Sequence, residues 1–121
     1  MGEAKTTIKD LVREIVCFRD ARDWRQFHNP KDLSLAISIE AAELLEHFLW
    51  KDENHVEALA KDSTAVAELS RELADILIFT LLLADGLGID PADAIRKKIQ
   101  ENDGKYPVDK AKGTAKKYTE L

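Results

Sequence analysis

Apolar residues recur along this chain at helical spacing, and no stretch shows convincing strand alternation. Ile8, Leu11, Ile15 and Phe18 fall at i, i+3, i+7 and i+10, which predicts a first helix over residues 7–21. Asn29-Pro30 opens a second, with Asn as the N-cap and Pro at the first helical position, and the pattern carries it to Leu49 or Trp50. The polar residues 51–62 have room for a short helical turn. Ser63 is the expected N-cap of a third helix that ends near Asp85, before Gly86-Leu87-Gly88. Asp90-Pro91-Ala92-Asp93 starts a fourth, which stops near Asp103 ahead of Gly104. Residues 105–121 contain Pro107 and Gly113 and read as an extended tail. The fold class expected is therefore all-α, a single four-helix, bundle-like domain with a helical core over residues 7–103.

The second and third helices are apolar on more than one side. Leu33, Ile37, Leu44 and Phe48 share one face of the second, while Leu35, Ile39 and Leu49 point elsewhere. In the third, Ile76, Phe79 and Leu83 share a face, with Leu77, Leu81 and Leu82 on others. A helix that is apolar on several sides needs covering on several sides, which four short helices do not supply alone. A homo-oligomer with these two helices at its interface is the expectation.

Carboxylates interrupt the same faces. At 100° per residue, Leu33, Ile37 and Leu44 lie within about 60° of Glu40, and Glu43 follows it at i+3. Glu72 is flanked by Leu69, Ile76, Phe79 and Leu83, with Asp75 at i+3 and Glu68 at i−4. Gathering ionised carboxylates away from water is prohibitive unless a cation neutralises them. The alternative is solvent-facing acids in surface pairs, such as Glu68 with Arg71 or Glu43 with His47. The leucines on the same faces favour the metal. A hard cation with oxygen ligands suits four acids, so Glu40, Glu43, Glu72 and Asp75 are the candidate ligands of Mg²⁺, with Mn²⁺ also compatible. A di-iron bundle would need Glu-x-x-His on two helices, and zinc would need cysteine or paired histidine; neither is present. No P-loop and no Ser-His-Asp or Cys-His grouping can be nominated.

Composition narrows the remaining classes. With 121 residues the chain suits one core, and 45% hydrophobic against 34% charged residues is a globular balance. The longest apolar run, residues 76–84, is about half of what a membrane helix needs. The first residues show no secretory pattern, and Cys17 alone excludes an internal disulfide; a reduced core cysteine in a cytoplasmic protein is expected. A net charge of −5 argues against a nucleic-acid partner. From Lys105 onward five lysines face only Asp109 and Glu120, giving +3 and leaving −8 for residues 1–104. A basic tail on an acidic body is either solvated or a source of cations for a polyanion.

E-x-x-E at Glu40 and Glu43, then 28 residues, then E-x-x-D at Glu72 and Asp75, resembles the signature of the MazG-like all-α nucleotide pyrophosphohydrolases. R-D-W-x-Q-F-H-x-P-K-D-L over residues 22–33, Trp50-Lys51, K-x-x-x-N-x-x-K-Y-P over residues 98–107 and the terminal Lys-Tyr-Thr-Glu-Leu resemble its small single-domain, dCTP-preferring branch. The resemblance implies an oligomeric enzyme, a dimer or dimer of dimers, that hydrolyses (deoxy)nucleoside triphosphates to the monophosphate and pyrophosphate in nucleotide-pool house-cleaning. It implies that Glu40, Glu43, Glu72 and Asp75 bind Mg²⁺ and that one of them, Glu43 for choice, positions the attacking water. Lys98, Asn102, Lys105 and Tyr106 then offer donors to phosphate oxygens, although lysines at a helix end also simply suit its dipole. Trp24 and Trp50, beside polar loops, can stack a base or sugar, and His28 can donate to base or phosphate; Phe27 is expected in the core. Two other readings stay open on the residues: a non-enzymatic helical adaptor, and a related metal-dependent phosphohydrolase that releases orthophosphate.

Overall fold

A computed structural model describes residues 5–121. Its elements are α1 (Ile8–Ala21), a 3-10 turn (Arg25–Phe27), α2 (Pro30–Glu46), α3 (Glu53–Lys61), α4 (Ser63–Gly86), α5 (Pro91–Lys105), α6 (Val108–Ala111) and a final 3-10 turn (Tyr118–Glu120). No strand occurs among the described residues. The all-α expectation is met. The chain packs as two units, one ending at Gly88 and one comprising Ile89–Leu121.

Local chemistry sets the helix starts. Thr7 and Asp10 exchange hydrogen bonds as a capping box on α1, at 3.1 and 3.0 Å. The Asn29 side chain accepts from Asp32 N at 2.8 Å, with Pro30 next to it as expected. Asp90 caps α5 by accepting from Ala92 N and Asp93 N. Asp62, not Ser63, caps α4: its Oδ1 accepts from Thr64 N at 3.0 Å and Ala65 N at 3.4 Å, which places Ser63 inside the first turn. Residues 51–62 hold more than a turn, because Asp52 accepts from His55 N at 2.9 Å and launches the nine-residue α3.

The second helix is shorter than its apolar pattern suggests. After Glu46 the backbone tightens to i→i−3 bonds, from Phe48 N to Leu45 O at 2.9 Å and from Leu49 N to Glu46 O at 3.2 Å. Trp50 then turns to φ +63°, a left-handed conformation that ends the element. At the other end of the chain the expected extended tail is partly folded. Pro107, at φ −57°, opens the single turn of α6, and Tyr118 returns to meet Tyr106 edge-on at 6.0 Å.

In the first unit α4 is the central helix, packed chiefly on α2 and also on α1 and α3. Leu33 and Leu82 are the only buried apolar residues among the described residues. Ile37, Leu44 and Phe48 on one side and Leu69, Ile76, Phe79 and Leu83 on the other are half-buried, as expected, whereas Leu35, Ile39, Leu49 and Leu77 are exposed. Leu82, expected off the inner face with Leu77 and Leu81, is instead buried at 4% exposure, and Leu81 is half-buried. Two expected core residues are not core. Cys17 is exposed because it lies two residues from Ile15, off the apolar stripe of α1. Phe27, on the 3-10 turn, is 62% exposed. Among the described residues, no helix is long and apolar enough to cross a membrane.

Candidate metal centre and adjoining cavities

Packing α2 on α4 brings carboxylates from both helices to one point. One oxygen from each of Glu40, Glu43 and Glu72 lies within 4.8 Å of the other two. Glu40 and Glu72 are half-buried and Glu43 is exposed, so the cluster has a dry side and a wet side. Asp75 stands outside this trio but close enough for its charge to act on Glu40. Glu40 is the strained member. Its Oε2 is buried with no hydrogen-bond partner, and its pKa is raised to about 6. Burial is the largest cause; a carboxyl–carboxyl contact with Glu43 and the charges of Glu43, Asp75 and Glu72 push the same way.

An orphaned, buried carboxylate oxygen beside two more carboxylates is the donor set of a hard divalent cation. Three oxygens from two helices leave further coordination positions to water or substrate, which fits Mg²⁺ better than an all-protein cage. The residues present therefore fit the metal expected from the sequence.

Two cavities adjoin the cluster. One, of about 540 Å³, is polar and is lined by Glu43, Glu46, His47, Lys51, Glu68 and Glu72. The imidazole Nε2 of His47 lies 3.6 Å from Glu72 Oε1. The other, of about 440 Å³, is largely apolar, walled by Phe18, Trp24, Phe27 and Phe79, with Asp75 at its margin. His28 lines it too, and its Nδ1 is buried without a hydrogen-bond partner. Trp24 packs edge-on against Phe18 at 5.8 Å, so its ring is held as part of the wall.

The predicted residues thus fall into groups. Glu40, Glu43 and Glu72 come together, with Asp75 near; Trp24 and His28 share the apolar cavity. Trp50 is 93% exposed and lines neither cavity, because the left-handed turn at its own backbone swings it outward. Lys98, Asn102, Lys105 and Tyr106 belong to the second unit. There Lys98 and Lys105 both pair with Glu101, at 3.3 and 3.1 Å, which lowers the Glu101 pKa. The Lys105 ammonium lies 4.9 Å over the Tyr118 ring, and Tyr106 N donates to Asn102 O at 2.8 Å. Sequence reasoning missed His47 as a neighbour of Glu72, having paired it with Glu43. It also missed Arg19, which is buried. Arg19 follows Ile15 at i+4 on the apolar stripe of α1, a position that marks it for attention without deciding its burial.

An all-helical unit in which two packed helices supply facing carboxylates defines the class: a bundle-type scaffold for a metal centre. The chain belongs to the MazG-like family, whose model matches residues 35–121. It is 38% identical to dCTP pyrophosphatase 1 of Bos taurus over 98% of this chain and 70% of that protein. It is 36% identical to dCTP pyrophosphatase 1 of Homo sapiens over 95% of this chain and 68% of that one. A crystal structure of a pyrophosphatase from Archaeoglobus fulgidus superposes with a TM-score of 0.75 at 36% identity, covering 88% of this chain and 98% of that chain.

Proposed function

We propose that this chain is a Mg²⁺-dependent nucleoside triphosphate pyrophosphohydrolase that releases a monophosphate and pyrophosphate, with dCTP-like deoxynucleotides favoured and nucleotide-pool house-cleaning as its role. The observation that carries the reading is the α2–α4 carboxylate trio with its orphaned Glu40 oxygen. The dCTP pyrophosphatase relatives support the substrate class. In this reading Glu40, Glu43 and Glu72, with Asp75 beside them, hold the metal. When bound, Mg²⁺ screens the triphosphate charge and stabilises the departing pyrophosphate oxygen.

The chain's own groups divide the remaining work. Glu43, the exposed carboxylate of the trio, orients a water for attack on phosphorus. The apolar cavity excludes water from the nucleoside end, with Trp24 and His28 against base and sugar. Trp50 adds a stacking surface once a partner copy or substrate covers it. Lys98, Asn102, Lys105 and Tyr106 are assigned to phosphate oxygens on the chemistry of their donors. The working form is a homo-oligomer, a dimer or dimer of dimers, because the first unit alone leaves Leu11, Phe18 and Leu77 exposed around one apolar groove.

The test is product identification. Each dNTP and NTP is incubated with the protein, with and without Mg²⁺, alongside Glu72→Ala. Monophosphate plus pyrophosphate, lost without metal and in the variant, is the expected result. Orthophosphate instead would move the enzyme to another reaction, and no turnover by folded protein would favour an adaptor.

A further inference from the structure

Arg19 is the one charged residue among the described residues that is buried, at 5% exposure, and it lines the apolar cavity that Asp75 also lines. Burying a guanidinium is costly unless its donors are satisfied. Here they are not. Of the five N–H groups, the single hydrogen bond runs from Nε to Asp20 Oδ1 at 2.9 Å. Nη1 lies 3.7 Å from Asp85 Oδ2, an ion pair beyond hydrogen-bond length, and both aspartates are about half exposed. Asp20 and Asp85 hold the guanidinium, and its remaining donors have no protein partner on a residue that lines a cavity of about 440 Å³. The same cavity is lined by His28, whose Nδ1 is buried without a hydrogen-bond partner. Its aromatic walls suit a flat heterocycle.

From this juxtaposition we infer that Arg19 reads the base: the cavity selects a nucleobase that presents two adjacent acceptors, which the planar guanidinium meets as a fork. The assignment rests on the triphosphate reading only for which end of the nucleotide lies here. Cytosine, with O2 and N3, and guanine, with O6 and N7, offer such an edge. Adenine sets its amino group beside N1 and N7, and thymine and uracil set N3–H between O2 and O4, so none offers two adjacent acceptors and the neighbouring donor would oppose the guanidinium with a like dipole. His28 then sits against a further polar atom of the bound nucleoside. Arg19 acts as a specificity residue and takes no part in the bond-breaking step.

The experiment is equilibrium binding of dCMP, dGMP, dAMP and dTMP in the presence of Mg²⁺ to the wild type, Arg19→Lys and Arg19→Met, read by calorimetry, with helicity checked by circular dichroism. The wild type is expected to bind dCMP or dGMP at least about tenfold more tightly than dAMP and dTMP, a gap set by the two-bond contact. The ranking within the first pair tells which base the cavity fits. Arg19→Lys keeps the charge but loses the fork, so its preference is expected to fall within about threefold, as in Arg19→Met. A wild type without preference, a preference that survives in Arg19→Lys, or an equal loss for all four nucleotides in both variants would overturn the inference. Triphosphate turnover separates it from the hydrolase reading: a preference without turnover sinks that reading and leaves Arg19 as the base reader, whereas turnover without preference does the reverse.

Discussion

The imidazole of His47, the residue at which α2 gives way to turns, lies 3.6 Å from a carboxylate oxygen of Glu72 on α4. Glu72 therefore has an imidazole facing it from the end of α2, on the side of the polar cavity. A group that fixes the rotamer of a metal-binding carboxylate raises affinity without touching the ion. His47→Ala is therefore expected to weaken Mg²⁺ binding by about tenfold or more, with unchanged helicity. Titration calorimetry with Mg²⁺ alone checks this, and an unaltered Kd would reduce the pair to a surface contact.

Glu40 makes the metal-free protein pH-sensitive in a predictable direction. Its carboxyl holds its proton up to about pH 6 in the folded chain, against 4.5 for a glutamate free in water. Below pH 4.5 the group is protonated in both states and contributes no difference. As pH rises from 4.5 through about 6, ionisation is resisted only in the folded state, so stability from this group falls and stays low above that window. Glu40→Gln removes the effect. In EDTA at about pH 7 the variant is expected to melt a few degrees above wild type, with the gap closing by pH 4.5. Added Mg²⁺ should reverse the order, because the wild type alone regains a neutralising cation. Thermal denaturation across this pH range measures both, and a gap independent of pH would mean Glu40 is not the strained group.

Much of this was legible in the sequence, for a physical reason. Helix periodicity is local, so Glu40 among Leu33, Ile37 and Leu44, and Glu72 among Leu69, Ile76 and Phe79, could be placed on inner faces before any packing was known. Asn29-Pro30 and Asp90-Pro91 likewise carry their caps in the chain. What failed was anything decided by competition or by packing. Asp62 and Ser63 are both good caps, and the carboxylate won the backbone donors. The apolar run to Trp50 gave no warning of the left-handed turn that closes α2. The buried guanidinium of Arg19 depends on a cavity formed by α1, α4 and the 3-10 turn together, and its stripe position alone does not distinguish a buried arginine from one that reaches out to solvent.

The exposed apolar groove of the first unit calls for its own test. Leu11, Ile15 and Phe18 of α1 face Ala74, Leu77 and Leu81 of α4 across a cavity of about 450 Å³. Leu77 is 59% exposed at the centre of this surface. A monomer that leaves such a stripe in water gives up burial that a second copy would restore, at about 25 cal/mol per Å² covered. Leu77→Asp places a charge on that surface without touching the carboxylate trio or lining the cavity that Trp24 and His28 share. Wild type is expected to sediment at a multiple of its 13.6 kDa chain mass, and the variant to shift toward the monomer and melt at lower temperature as dilution proceeds. Analytical ultracentrifugation over a concentration series decides it. A wild type that stays monomeric throughout would show that the groove is tolerated as free surface. An oligomer unchanged by Leu77→Asp would place the interface on Leu35, Ile39 and Leu49 of the opposite side instead.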